Sequence, residues 1–252
     1  MLNFLKKVRQ TVLTEGKMSK YLKYALGEII LVVIGILIAL QIKTWNENYS
    51  NNKEGQRYLL ALKGEFENNK EILKSVMVLN QMNTNAALAI LENTGPDEPE
   101  IDKIVFDSLL LHTIGSEIEF RPNNEIIEQV LSSGKLSLIK SAELRKTLLS
   151  WNSTLKKVRF QEAELSDNRF KLIDFLMQQI NYRKVVNNIY GSAFGYSQSK
   201  FQTKNTLVLQ SLEFENMLTT FVNVSYFADK RFVATYSKID EILSQIEKEI
   251  KK

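Results

Sequence analysis

The chain of 252 residues contains no cysteine and a single histidine, His112. The lack of cysteine excludes a disulfide scaffold, Cys-ligated zinc or iron–sulfur sites, and a cysteine nucleophile. One histidine also excludes a zinc site built from several histidines and a pair of acid–base histidines within one chain. We interpret His112 itself as a packed or half-exposed residue of a short apolar helix.

Proline and glycine are also scarce. The three prolines are Pro96, Pro99 and Pro122, and the 130 residues after Pro122 contain none, so long helices are permitted there. The ten glycines form no Gly-rich phosphate loop, and no Gly-x-Ser-x-Gly elbow occurs. The acidic turn at 97–102 favours a solvated surface over a metal site. We therefore predict a non-enzymatic protein with no catalytic residues, no cofactor and no metal.

The positive charge is unevenly distributed. The whole chain carries +4, but residues 1–43 alone carry +5 and the remainder −1. A nucleic-acid-binding domain is expected to keep a basic face in its folded part. The balanced remainder predicts a protein that does not bind nucleic acid.

Residues 24–43 have the composition of a membrane span. Their sequence is YALGEIILVVIGILIALQIK, and no polar side chain occurs between Ile29 and Leu40. About 20 such residues cross the hydrocarbon core of a bilayer, and Tyr24 and Trp45 lie where aromatic rings favour the interface. A cleaved signal peptide is the alternative. The long basic start and the absence of a small-x-small cleavage pattern favour an uncleaved signal-anchor in the lipid bilayer.

Charge asymmetry predicts the orientation of this anchor. Six Lys or Arg residues precede the span and only Lys43 follows closely. By the positive-inside rule the N-terminus is cytoplasmic. The predicted organisation is a basic cytoplasmic segment at 1–23, a transmembrane anchor at 24–43, and a domain across the membrane at 44–252.

Two features of the span leave alternatives open. Glu28 either reaches the headgroup region or pairs inside the membrane with a partner protein. Gly35 and Ala39 form a small-xxx-small pair that would let two helices approach closely, but such pairs are frequent by chance. Homo-oligomerisation therefore remains open.

The rest of the sequence predicts an elongated antiparallel helical bundle, with three long and two to three short helices. Apolar residues spaced 3-4-3-4 from Leu59 to Ile90 indicate a long coiled-coil-like helix within 46–92. Short helices are predicted at 101–113 and 125–132, a second long helix begins after Ser141, and the last runs over 207–251. Turn chemistry supports these bounds: Asn123 precedes one helix, Gly134 ends it with positive φ, and Ser141 caps the next.

Some polar residues interrupt the apolar stripes of the long helices; they are Asn69, Asn80, Asn83, Glu162 and Arg169. They either turn to solvent as the stripe drifts, fix the register of the bundle, or line a small polar pocket. A loop predicted at 187–206 carries four aromatic residues that either cover an end of the bundle or form a partner surface: Tyr190, Phe194, Tyr196 and Phe201.

Two strings carry a family resemblance: GEIILVVIGILIALQIKTWNEN, and FRPNNEIIEQVLSSGKLSLIKSAELRKTLLSWN. They resemble an uncharacterised family of single-pass membrane proteins from the Bacteroidota, well over the first 50 residues and fairly over 120–152. Shared features are the Gly-Glu-led span, the Trp-Asn-Glu exit at 45–47 and a helix–Ser-Gly–helix element at Ser133-Gly134. The resemblance implies an inner-membrane protein with a periplasmic domain, and it implies no activity.

Two functional hypotheses follow. The first is a membrane-anchored interaction, scaffold or regulatory protein of the cell envelope that binds a protein partner. The second is a periplasmic bundle that senses a small ligand and signals through a partner, since only about 23 residues lie before the span. An enzyme that works through carboxylates alone is the least favoured alternative.

Overall fold

The computed structural model describes residues 18–250, with side chains from Leu22 onward except that of Tyr24. Residues 1–17 of the predicted basic segment lie outside the described residues. The described part contains no strand. Six α-helices and two 3₁₀ turns follow in order: α1 Met18–Leu91, α2 Lys103–Ile114, α3 Glu125–Ser132, a 3₁₀ turn Lys135–Leu138, α4 Ala142–Gln179, α5 Tyr182–Tyr190, a 3₁₀ turn Asn205–Gln210, and α6 Leu212–Ile250.

The all-helical prediction is confirmed, and two of its boundaries are wrong. The loop predicted from Asn187 begins only after Tyr190, because α5 is capped by the side chain of Asn181 and buries Val185 and Val186. The last helix begins at Leu212 instead of residue 207, because residues 205–210 form a 3₁₀ turn.

The described chain divides into two units between Gln56 and Arg57. In the first unit the apolar side chains from Ile29 to Ile42 are all exposed. This part of α1 is long and apolar enough to cross a membrane. Exposing this surface to water would cost roughly 25 cal/mol per Å² of apolar area. Contact with lipid would not carry this cost.

In the second unit the core lies between α4, α6 and the part of α1 that follows Arg57. Ion pairs join Lys63 to Glu247 at 3.0 Å and Lys70 to Asp240 at 2.5 Å, so α6 runs antiparallel to α1. The 3–4 spacing of apolar residues directs one stripe of each helix inward. The largest fully buried side chains include Trp151, Phe66, Phe120, Phe214, Phe221 and Phe232.

The connection between α1 and α4 is long because these two helices run parallel. Trp151, near the start of α4, meets Phe66, in the part of α1 that follows Arg57, edge to face with ring centroids 5.1 Å apart. Both helices run antiparallel to α6, since Thr147 bonds to Glu241 and Phe175 stacks on Phe214. The chain leaving α1 at Leu91 must therefore return along the bundle before α4 can begin. Residues 92–141, here called the crossover, contain α2, α3 and extended backbone whose polar groups need partners.

Candidate functional site

The seam residues predicted from the sequence lie in the second unit and face the protein interior. Asn69, Asn80, Asn83 and Glu162 are buried, and Arg169 is half-buried. The stripes therefore do not drift to solvent at these positions.

Asn69 holds the crossover by two hydrogen bonds to one residue. Its Nδ2 donates to the carbonyl oxygen of Asn123 at 2.7 Å, and its Oδ1 accepts from the Asn123 backbone N–H at 2.8 Å. One turn earlier, Glu65 accepts the backbone N–H groups of Ile126 and Ile127 at 2.7 and 3.1 Å. Burial raises the pKa of Glu65, and these two hydrogen bonds oppose the rise. The helix α3 is thus fastened to α1 at its start.

Glu162 and Arg169 bind separate parts of the crossover. Glu162 Oε1 accepts the backbone N–H of Phe120 at 2.6 Å, and its Oε2 pairs with Arg159 at 2.7 Å. Arg169 Nε donates to the carbonyl oxygen of Ile114 at 2.7 Å. We refer to Glu65, Asn69, Glu162 and Arg169 together as the backbone clamp. Their side chains form hydrogen bonds with backbone N–H and C=O groups of the crossover. This favours the hypothesis that the seam residues fix the register of the bundle over the hypothesis that they line a ligand pocket.

The other two seam asparagines also bind backbone. Asn80 Nδ2 donates to the carbonyl oxygen of Ser225 on α6 at 3.1 Å. The amide of Asn83, in the orientation that satisfies it, donates to the carbonyl oxygens of His112 and Leu79 at 2.8 and 3.2 Å. The side chain of His112 itself is exposed.

The predicted turn residues lie at the ends of α3 and α4. Asn123 Oδ1 accepts the backbone N–H of Glu125 at 3.1 Å, Gly134 has φ +72°, and Ser141 Oγ accepts the N–H of Leu144 at 3.1 Å.

Sequence reasoning missed Glu249, which accepts the backbone N–H groups of residues 140 and 141 at 2.5 and 3.0 Å.

The predicted anchor residues lie on α1 in the first unit. Glu28, Gly35 and Ala39 are exposed, and Trp45 stacks on Tyr49 with ring centroids 6.3 Å apart. The side chain of Tyr24 lies outside the described residues.

A second buried polar region surrounds Asp107, which sequence reasoning did not single out. Asp107 is only 2% exposed, and its Oδ2 accepts from Asn188 Nδ2 at 2.7 Å. Its Oδ1 has no hydrogen-bond partner. The sequence did contain one indication of this site. Asp107 is an acidic residue within the apolar α2 sequence KIVFDSLLLHTI, directly after the core residue Phe106.

Asp107 lines a cavity of about 490 Å³ between α2, α5 and residues 202–206. Three lysines, Lys103, Lys184 and Lys204, also line it. Within the part of the chain that the structure describes, none forms a salt bridge to Asp107: Lys184 Nζ donates to the Thr203 carbonyl at 3.1 Å and Lys204 pairs with Glu98. Burial raises the pKa of Asp107, and this rise is opposed by the side-chain amides of Asn188 and Asn205 and by the charges of Lys184 and Lys103.

The acidic turn at 97–102 is occupied by local contacts. Asp102 Oδ1 accepts backbone N–H groups at the start of α2, and Glu98 pairs with Lys204. In the described residues no three acidic or histidine side chains are arranged to hold a metal ion.

Four aromatic side chains at the end of α5 and in the loop after it are exposed, and they are here called the aromatic loop: Tyr190, Phe194, Tyr196 and Phe201. Tyr190 contacts Phe194 edge to face at 5.6 Å, and Phe194 stacks with Tyr196 at 6.1 Å. The guanidinium of Arg183 lies 5.4 Å from the Tyr196 ring centroid. Residues 181–210 contain four basic and no acidic side chains.

Comparison with known proteins identifies the family. The model of a family of unknown function, DUF6090, matches residues 28–228, and the chain belongs to this family. No curated protein and no solved structure matches the chain. The matched range includes the apolar part of α1, the backbone clamp, the Asp107 cavity and the aromatic loop.

Proposed function

We propose that this DUF6090 protein is a membrane-anchored, non-enzymatic interaction protein of the cell envelope. The observation that carries the proposal is the aromatic loop, in which the exposed rings of Tyr190, Phe194 and Tyr196 contact one another. Phe201 is 79% and Phe194 61% exposed. A contiguous patch of exposed apolar rings, unlike a single exposed ring, is typical of an interaction site.

The anchor supports attachment to a bilayer. The apolar side chains of α1 from Ile29 to Ile42 are exposed and suit lipid better than water. The excess of basic residues before the span favours a cytoplasmic N-terminus. The proposed arrangement is therefore a single-pass inner-membrane protein with residues 44–252 in the periplasm.

The chemistry of the aromatic loop indicates what kind of partner it fits. Aromatic residues and arginine are the side chains most often responsible for binding energy at protein interfaces. Stacking among Phe194, Tyr196 and Arg183 restricts these side chains before binding, which lowers the entropy lost on association. Because residues 181–210 carry only positive charge, the complementary surface is acidic.

The backbone clamp supports a binding role over a catalytic one. Glu162 and Arg169 were the best sequence candidates for polar chemistry inside the bundle. Their carboxylate and guanidinium groups hold the crossover backbone instead. This use of charge stabilises a scaffold for surfaces such as the aromatic loop.

Site-specific photocrosslinking in the native membrane tests the proposal. A photoreactive phenylalanine analogue replaces Phe194 in one sample and Phe160 in the other. Phe160 is the matched control because it is a similarly exposed phenyl ring, 65% exposed, on α4. We expect a discrete protein adduct from position 194 that is absent from position 160 and is reduced by Tyr196→Ser.

Equal adducts from both positions, or no adduct from position 194, would contradict an interaction surface at the aromatic loop. A separate reporter fusion after residue 252 tests the topology. Alkaline phosphatase should be active there, and an active cytoplasmic reporter would reverse the proposed orientation.

A further inference from the structure

We propose that the cavity lined by Asp107 binds a small zwitterion that carries a primary ammonium group and a carboxylate, that is, an amino acid or a short peptide. This site is separate from the aromatic loop and does not depend on a protein partner. A ligand here would provide the input that a sensing bundle requires.

The recognition of an ammonium group rests on Asp107. Burying a carboxylate costs free energy of folding unless its oxygens accept hydrogen bonds or pair with a positive charge. One oxygen of Asp107 accepts from Asn188 at 2.7 Å, and the other accepts no hydrogen bond. The nearby amide of Asn205 lowers the pKa of Asp107, but its Nδ2 donates to the carbonyl oxygen of Asn181 at 3.3 Å. An ammonium group has three donors and the opposite charge, so it would both neutralise the carboxylate and complete its hydrogen bonding.

The recognition of a carboxylate rests on the lysines that line the same cavity. Lys103, Lys184 and Lys204 place positive charge around the buried acid without a salt bridge to it in the described residues. A simple cation would be repelled by the lysines, and a simple anion would be repelled by Asp107. A zwitterion complements both charges at once.

The size of the cavity suits a small molecule. Its volume of about 490 Å³ falls within the range of about 300–1,000 Å³ that is usual for ligand sites. A single amino acid would fill part of it and a short peptide more. The two sources share the same end groups, so binding measurements with both must distinguish them.

Residues 202–206 form one wall of the cavity and would move on binding. Asp107 Oδ1 is buried in the structure, so an ammonium group reaches it when this wall shifts. The wall is held by Lys184 through the Thr203 carbonyl and by the exposed pair of Lys204 with Glu98. Two hydrogen bonds between Asn205 and Asn181 hold its far end and would remain when residues 202–204 shift. Exposed ion pairs contribute little to stability, and the shift frees both lysines for the ligand carboxylate.

Calorimetric titration of the full-length protein in detergent tests the proposal. The probes are the standard L-amino acids and the corresponding L-alanyl dipeptides, each measured singly. We expect saturable binding by at least one zwitterion. N-acetylation of that probe, which removes the ammonium charge, should weaken binding by about tenfold or more. Binding of single amino acids would identify an amino acid as the ligand, and binding of dipeptides alone would identify a short peptide.

Two variants separate recognition from folding. Asp107→Asn keeps an acceptor for Asn188 and removes the charge, so we expect a folded protein with binding weakened by about tenfold or more. Asp174→Asn is the matched control, since Asp174 is exposed on α4 and should not affect binding. Circular dichroism confirms that both variants are folded.

Several results would overturn the proposal. They are the failure of every zwitterion to bind at millimolar concentration, equal binding of the N-acetylated probe, and unchanged binding by folded Asp107→Asn. None of these results affects the photocrosslinking test of the aromatic loop, so the two proposals fail independently.

Discussion

The backbone clamp and the Asp107 cavity both contain polar side chains buried in the second unit, and they differ in what those side chains contact. Asn69 uses its amide on both backbone groups of Asn123, and both oxygens of Glu65 accept a backbone N–H. Asp107 instead keeps one oxygen without a hydrogen-bond partner. The difference teaches that burial alone does not distinguish these acids. Their hydrogen bonds do, and the unpaired oxygen of Asp107 is what the proposed ligand would use.

Substitutions in the two regions are expected to change the free energy of unfolding in opposite directions. Removing a satisfied partner strands backbone groups in the interior and costs about 1–3 kcal/mol for each. Removing the charge of an incompletely paired buried carboxylate relieves a desolvation cost. Substitutions in the two regions can therefore test the comparison directly.

The largest loss is expected for Asn69→Ala. It leaves the N–H and the carbonyl of Asn123 unpaired, at a combined cost of about 2–6 kcal/mol. Denaturant unfolding of the full chain in detergent measures it. Asn85→Ala is the matched control, because Asn85 is exposed on the same helix and its side chain accepts from Gln81, also exposed. A similar small loss in both variants would mean that Asn69 does not hold the crossover.

The next largest loss is expected for Glu162→Ala, which strands the backbone N–H of Phe120 and removes one of the two acidic partners of Arg159. We expect about 2–3 kcal/mol. The exposed neighbour Glu164 provides the control, and Glu164→Ala should cost less than about 1 kcal/mol. If Glu162→Ala also costs less than about 1 kcal/mol, Glu162 does not hold the crossover backbone.

A smaller loss is expected for Gly134→Val, which tests the turn at the end of the clamped segment. Gly134 has φ +72°, and a Cβ there would contact nothing within 4 Å, so the cost is conformational. We expect a loss of about 1–2 kcal/mol. Gly64→Ala in the middle of α1 should instead stabilise by about 0.5–1 kcal/mol. Equal thermal shifts in the two variants would contradict a left-handed requirement at 134.

The sequence predicted the elements of the fold better than the use of the polar residues. The apolar spacing located α1, α4 and most of α6, and Gly134 and Ser141 located the turns, because periodicity and capping are local properties. The partners of Asn69 and Glu162 could not be predicted, since they are backbone groups 54 and 42 residues away. The start of α6 was misplaced because an apolar 3₁₀ turn has the composition of a helix.

Asp107 was missed for a physical reason. It lies among apolar residues of a short helix, and its cavity exists only once residues from α5 and the 202–206 wall surround it. An isolated acid in an apolar run gives no spacing to interpret. Only the folded structure shows that one of its oxygens is left without a partner.

The most direct test of this comparison is the unfolding stability of Asp107→Asn as a function of pH. The raised pKa of Asp107 means that its burial as a carboxylate costs stability at neutral pH, and the wild type regains this stability as the pH falls through the folded-state pKa toward the unfolded one. We predict that Asp107→Asn is more stable than the wild type at pH 7, and that the gap closes on acidification. A loss of stability at pH 7 comparable to that of Asn69→Ala would contradict the account and assign Asp107 to the same structural role as the backbone clamp.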